Sequence, residues 1–202
     1  MEITRNLVEL INKSKYPICY TGPKMFSAKI NDINAFWGNN HLINLLNLEN
    51  FKNKNQNFFQ ICNELINKAR NLSPTKNHFI LKDLGIPIIT ENIDGLHKKS
   101  GSQFVVELHG NITELKCTQC EYKINVLEKN INLFSICPKC HTENLRPDIV
   151  LKGEPLKDFH LALEELYKAD LLIVLGHDPK NWPACRLIIQ AKKLTDCRSI
   201  FL

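Results

Sequence analysis

Four cysteines fall in two matched knuckles, Cys117-Thr118-Gln119-Cys120 and Cys137-Pro138-Lys139-Cys140, separated by sixteen residues. No other feature constrains the fold as strongly. Two Cys-x-x-Cys pairs at ribbon spacing supply four thiolates for one tetrahedral Zn²⁺, and a site with no open position is structural rather than catalytic. Cys117, Cys120, Cys137 and Cys140 are therefore read as the ligands of one ion that holds a small lobe together. His141 adjoins the last knuckle, but a complete four-thiolate set leaves it no vacancy.

At 202 residues the chain has room for one sizeable core with a metal-held lobe as a satellite. Twenty-six Lys plus Arg against 21 Asp plus Glu give a net charge of +5, spread along the chain rather than gathered in an arm. That distribution argues against direct nucleic-acid binding. The remaining cysteines, Cys19, Cys62, Cys185 and Cys197, have no pair spacing and suit a reducing, intracellular and cytoplasmic setting. Near the N-terminus, Ile3, Leu7, Leu10 and Ile11 share one helical face between charges, which is not the pattern of a signal peptide. No apolar stretch is long enough to span a membrane.

Tyr16–Thr21 reads as a short buried strand running into Gly22, a strand-then-glycine arrangement suited to a nucleotide site. The Asn- and Lys-rich stretch from Asn39 to Asn57 reads as loop and short helix. Helical spacing follows at Phe58, Phe59, Cys62, Leu65, Ile66 and Ala69, and Ser73-Pro74 is expected to open a further helix running to about Leu84. Apolar runs at Ile86–Ile89, Phe104–Val106, Ile149–Leu151 and Leu171–Leu175 have the length and branching of buried parallel strands. The predicted fold is α/β, a Rossmann-like parallel sheet flanked by helices with a small zinc-ribbon lobe inserted. The Rossmann-like part is assigned to about 1–35, 73–112 and 145–202, a helical and loop insertion to 36–72, and the zinc lobe to 113–144.

The segments Thr90-Glu-Asn-Ile-Asp-Gly-Leu-His97, Val105–Gly110, the two knuckles, Arg146-Pro147-Asp148-Ile149-Val150, Gly153-Glu154 and Ala169–Gly176 occur in the order found in sirtuins, which this chain resembles. The resemblance covers Ser73 to Lys192 well, and Tyr16–Gly22 less well. It implies an NAD-dependent protein-lysine deacylase, with NAD as co-substrate and an acyl-lysine protein or peptide as partner. In that reaction the acyl oxygen attacks the nicotinamide ribose, nicotinamide leaves, and the acyl group ends on ADP-ribose. The resemblance makes His109 the general base on a ribose hydroxyl, with Gly110 beside it allowing close backbone approach. It also places Asn92 and Asp94 in the nicotinamide and ribose pocket and adds Gly22, Glu91 and Gly176 to the cofactor-binding set. His97 occupies a position that is structural in the family.

Several positions depart from the family pattern. The phosphate turn reads Gly22-Pro23-Lys24-Met25-Phe26, so one glycine remains, proline removes an amide donor, and Lys24 offers charge instead. Position 91 is Glu where most sirtuins carry Gln. Ile30-Asn31-Asp32-Ile33-Asn34 keeps only the aspartate of Pro-Asp-Phe-Arg, and Trp37 is no evident substitute. Gly176-His177-Asp178 stands for Gly-Thr-Ser, while Lys152-Gly153-Glu154 and Asn181-Trp182-Pro183 make the peptide channel more polar. The chain ends at Ser199–Leu202 as an expected last strand. A catalytically impaired binding module and an NAD glycohydrolase or ADP-ribosyltransferase are the alternatives these departures leave open.

Overall fold

The computed structural model describes residues 5–25, 44–127, 133, 135–176, 186–189 and 197–201. Along the chain these include α1 (Arg5–Lys13), β1 (Pro17–Thr21), α2 (Leu48–Lys52), α3 (Gln56–Asn71), α4 (Lys76–Leu84), β2 (Ile88–Thr90) and α5 (Leu96–Lys99). There follow β3 (Val105–Glu107), β4 (Gly110–Cys117), β5 (Lys123–Asn125), β6 (Leu145–Ile149), α6 (Phe159–Lys168), β7 (Leu171–Leu175) and β8 (Arg198–Phe201). Ile3, Phe26, residues 30–34, Trp37, His177, Asp178, residues 181–183 and Cys185, all invoked above, lie outside the described residues.

Five strands form one sheet in the order β3-β2-β1-β7-β8, and every pairing in it is parallel. The chain builds outward from β1 in one direction, then resumes on the opposite side at β7. The order therefore reverses between β1 and β7, where an open α/β sheet leaves a crevice beyond the carboxyl ends of its strands. Alternation along the strands sends neighbouring side chains to opposite faces. Ile18, Tyr20, Ile89, Leu172 and Val174 pack with Ala162 and Leu166 of α6, while Cys19, Ile88 and Ile173 pack with Leu7 and Ile11 of α1 and Leu81 of α4. Helices thus cover both faces, as the apolar runs predict.

A second sheet, β5-β4-β6, is antiparallel and spans Gly110 to Ile149, so its strands reach beyond the 113–144 stretch assigned to the zinc lobe. Its core is shared with α3, because Phe58, Cys62, Leu65 and Ile66 join Ile112, Leu115, Cys117, Cys137 and Leu145 in one buried cluster. The helical insertion and the zinc lobe are one packing unit.

Two expectations are corrected. The run at Ile149–Leu151 is not a parallel strand of the main sheet. The strand lies earlier, at Leu145–Ile149, and pairs antiparallel with β4. Arg146 and Asp148 are buried within it, so an apolar-run criterion passed over most of its length. The helix expected at Ser73-Pro74 starts at Lys76, because Thr75 donates its backbone N–H to Nδ1 of His78 and its hydroxyl meets the same nitrogen at 2.8 Å. That reciprocal cap satisfies the helix start, and proline stays outside it. The Ile86–Ile89 and Phe104–Val106 runs are strands displaced by one or two residues, at β2 and β3.

The two sheets meet at Gly110. Its φ is +77°, and a Cβ built there would lie 2.0 Å from the Asp148 carbonyl oxygen. Here close approach is to the backbone of β6. Gly110→Ala should therefore cost about 3 kcal/mol or more through strain and strand separation, visible as a lower urea-unfolding midpoint.

Candidate functional site

The four knuckle sulfurs all lie within 4.8 Å of one another. Cys117 Sγ is 3.5 Å from Cys140 Sγ, and Cys120 Sγ is 3.7 Å from Cys137 Sγ. A ZnS₄ tetrahedron with bonds near 2.3 Å has edges of about 3.8 Å, close to the two shortest separations, so the four thiols are gathered to suit one zinc ion. The two knuckles repeat one local fold. Glu121 N–H donates to Cys117 O and His141 N–H to Cys137 O, and both Glu121 and His141 take positive φ, at 60° and 58°. His141 is thus a turn residue, in keeping with its exclusion from the ligand set. Since Cys117 and Cys137 are also part of the core shared with α3, removing the ion should reach well beyond the knuckles. Dialysis against a strong chelator is expected to lower the melting temperature and make the four thiols reactive toward a disulfide reagent, with zinc restoring both.

The second site gathers at the carboxyl ends of the parallel strands. β1 ends at Thr21 and delivers Gly22, β2 ends at Thr90 and delivers Glu91, Asn92 and Asp94, β3 delivers His109, and β7 ends at Leu175 and delivers Gly176. These residues, dispersed in the sequence, converge because Thr21, Thr90 and Leu175 are in mutual register and Thr90 pairs with Glu107. The ladders continue past the strands: Glu91 N–H donates to Thr21 O and Leu108 N–H to Thr90 O. Beyond them Ile112 N–H binds Ile93 O and Val150 N–H binds His109 O. The loop 91–97 and the stretch 108–112 are tied together by backbone alone.

The side chains held there are polar and desolvated. Asn92 is 5% exposed, and its Nδ2 is buried without a hydrogen-bond partner. An unmet donor of this kind costs free energy and marks a place for an acceptor from a ligand. Asp94 is buried, accepts from Leu96 N–H at 2.9 Å, and has its carboxyl pushed up to about 6 by burial. His109 is half-buried, and burial lowers its imidazole below the ordinary value while the Glu91 charge works the other way. A carboxylate, an unpartnered amide and a largely neutral imidazole within one cleft can bind a carboxamide and accept a proton from a hydroxyl.

His97 is buried with Nε2 2.9 Å from the Thr21 hydroxyl and its ring 4.7 Å from that of His78. Burial keeps both imidazoles neutral, lowering them to about 3 and about 4. This anchors the end of the 91–97 loop to β1, consistent with a structural place for His97. Gly22 has its N–H engaged by Leu175 O, and Met25 N–H folds back on Gly22 O. The Gly22 amide thus extends the sheet and is not turned toward a ligand, and Pro23 has none to offer. Gly176 takes φ +63°, turning the chain sharply after β7.

Further groups around the site lack an apolar pattern or spacing to flag them. Asn111 Nδ2 donates to Glu107 Oε1 at 2.8 Å, while its Oδ1 accepts from the Thr113 N–H and hydroxyl. Lys98 bridges Glu107 and Glu114. Tyr20 OH donates to Glu91 Oε1 at 2.9 Å. Downstream, Glu154 pairs with Arg146 through both carboxylate oxygens and accepts from Leu151 N–H, which fixes the Lys152–Glu154 turn. Lys152 N–H donates to Leu46 O.

Asp94 carries a stability cost with a defined pH dependence. Its folded value lies above the ordinary 3.8, so it favours the native state fully only below pH 4, and that contribution is lost as pH rises through about 6. Asp94→Asn keeps an oxygen for Leu96 N–H and should stabilise the protein at pH 7–8 by on the order of 2–3 kcal/mol, a gain that vanishes below pH 4. Urea unfolding at both pH values checks this.

Comparison with known proteins identifies the lineage. The Sir2 family model matches residues 36–181. NAD-dependent protein deacetylase 2 of Caldanaerobacter subterraneus subsp. tengcongensis is 34% identical over 187 residues, covering 85% of this chain and 75% of that protein. The NAD-dependent protein deacetylase of Saccharolobus solfataricus is 35% identical over 203 residues, covering 95% of this chain and 81% of its own. The structure of Sir2Tm bound to a propionylated peptide superposes with a TM-score of 0.77 at 27% identity, covering 100% of this chain and 86% of that one. A parallel sheet with a reversed order, a four-cysteine lobe and these relatives together place the chain in the Sir2 family.

Proposed function

We infer that this protein is an NAD-dependent protein-lysine deacylase of the sirtuin type, with a structural zinc and an acyl-lysine peptide or protein as substrate. The observation that carries the inference is the convergence of Asn92, Asp94 and His109 at the carboxyl edge of one parallel sheet, with the buried Asn92 amide lacking a partner. NAD supplies the ribose carbon from which nicotinamide leaves and the ribose hydroxyl that takes up the acyl group. Asn92 Nδ2 donates to the carboxamide oxygen, which satisfies an otherwise costly buried donor. Asp94 accepts from the carboxamide N–H₂ or an ordered water. His109, kept largely neutral by burial, takes the proton of the ribose hydroxyl.

The substrate chain is placed along Lys152–Glu154, one of the two segments that the family resemblance gives to the peptide channel. Lys152 N–H is already engaged by Leu46 O in an Asn47–Lys152 bridge, so an extended peptide pairs with other backbone groups of this stretch. Among the described residues no helix is long and apolar enough to cross a membrane.

One observation favours a second reading. With the Gly22 amide engaged and Pro23 lacking one, the turn after β1 has fewer donors for a pyrophosphate than a glycine-rich turn, which suits a binding module of reduced activity.

The test is nicotinamide release by zinc-loaded protein with NAD and acetyl-, propionyl- or longer-acyl-lysine peptides. Release is expected to depend on peptide and to fall by about 10²–10⁴-fold in His109→Ala. Release without peptide would point instead to an NAD glycohydrolase, and absence of NAD binding by calorimetry to the binding module.

A further inference from the structure

A buried tyrosine on β1 and a buried carboxylate just past β2 meet beside the strand that leads to His109. Tyr20, fully buried on β1, donates to Oε1 of Glu91 at 2.9 Å, and Glu91 is itself 2% exposed. Glu91 follows the last residue of β2 and is fixed through its own N–H to Thr21 O. The parallel pairing of β2 with β3, continued by Leu108 N–H to Thr90 O, brings Glu91 and Asn92 alongside Leu108 and His109. We propose that Tyr20 and Glu91 form a positioning pair for His109: the tyrosine hydroxyl pins the carboxylate, and the carboxylate supports the imidazole as proton acceptor.

Among the described residues, the other titratable groups near this point have partners of their own. Asp94, on the same loop, accepts from Leu96 N–H, and His97 is held by Thr21 and His78. Glu107 on β3 is paired with Lys98 and Asn111. On β6, Asp148 is shared by Lys123 and Lys157. Among the described residues, Glu91 supplies a charge that acts against burial at His109. An anion close to a desolvated imidazole favours its protonated form, which makes it a stronger base at the moment it accepts a proton. The same charge moves the pH below which the base is already protonated upward, so support of the imidazole has a cost at acid pH.

The proposal rests on His109 being the base, but its first test does not need turnover. The His109 imidazole of the zinc-loaded protein is titrated by NMR in the wild type, Glu91→Gln and Glu91→Asp. Glu91→Gln keeps the shape and an acceptor for Tyr20 while removing the charge, and is expected to lower the proton affinity of His109 roughly three- to tenfold. Glu91→Asp retains the charge and is expected to stay near the wild type. An unchanged or raised midpoint in Glu91→Gln overturns the proposal, as does a fall in Glu91→Asp as large as that in Glu91→Gln. Where nicotinamide release is measurable, the acid limb of its kcat/KM profile should move to lower pH in Glu91→Gln by the same factor. A shift in the NMR midpoint with no nicotinamide release by any variant would leave the pair established and the deacylase assignment refuted.

Discussion

Five residues of backbone, Leu108 to Ile112, carry the geometry of the whole molecule. Leu108 closes the β2–β3 ladder on Thr90, His109 accepts from Val150, Gly110 crosses against Asp148 and Ile149, and Ile112 binds Ile93. The parallel sheet, the loop bearing Asn92 and Asp94, and the four-cysteine lobe are all joined there. Only a residue without a Cβ permits the crossing, because the Asp148 carbonyl occupies the space a side chain would need. Strand pairing thereby sets the position of His109 from both sides, and side-chain contacts refine it.

The energetic character of the site is opposite to that of the core beneath it. Ile18, Ile88, Ile89, Leu172 and Ile173 are almost wholly removed from water and contribute through apolar burial. A few ångströms further along the same strands, Asn92 has an unmet donor and Asp94 carries a charge that burial disfavours. Such groups lower stability and are retained where they meet a ligand. The buried charges nearby, Arg146 paired with Glu154 and Asp148 with Lys123 and Lys157, differ in having their partners in place. They shape the segments that bracket the cleft.

Zinc acts through packing as much as through coordination. Cys117 and Cys137 are part of the cluster that includes Phe58, Cys62 and Leu65 of α3, so a metal site on the lobe also fixes that helix. Short range in sequence, the knuckles have long-range consequences because the lobe has too few apolar residues to hold its own core.

Local signals in the sequence determined a good deal. The cysteine spacing specified a tetrahedral site, the β-branched runs specified β1, β2, β3 and β7, and the spacing of Phe58, Cys62, Leu65 and Ala69 specified α3, because each depends on residues near one another in the chain. Tertiary structure alone decided the rest. β6 was hidden because Arg146 and Asp148 are polar residues buried by pairing and ion pairs, the start of α4 was set by the contact between Thr75 and His78, and the Gly22 amide was claimed by β7. The pairing of Tyr20 with Glu91 joins a residue of β1 to the one just past β2, and no periodicity in either strand encodes it. Burial of polar groups and the use of backbone donors depend on which segments meet in space, and that is settled only when the sheet order is complete.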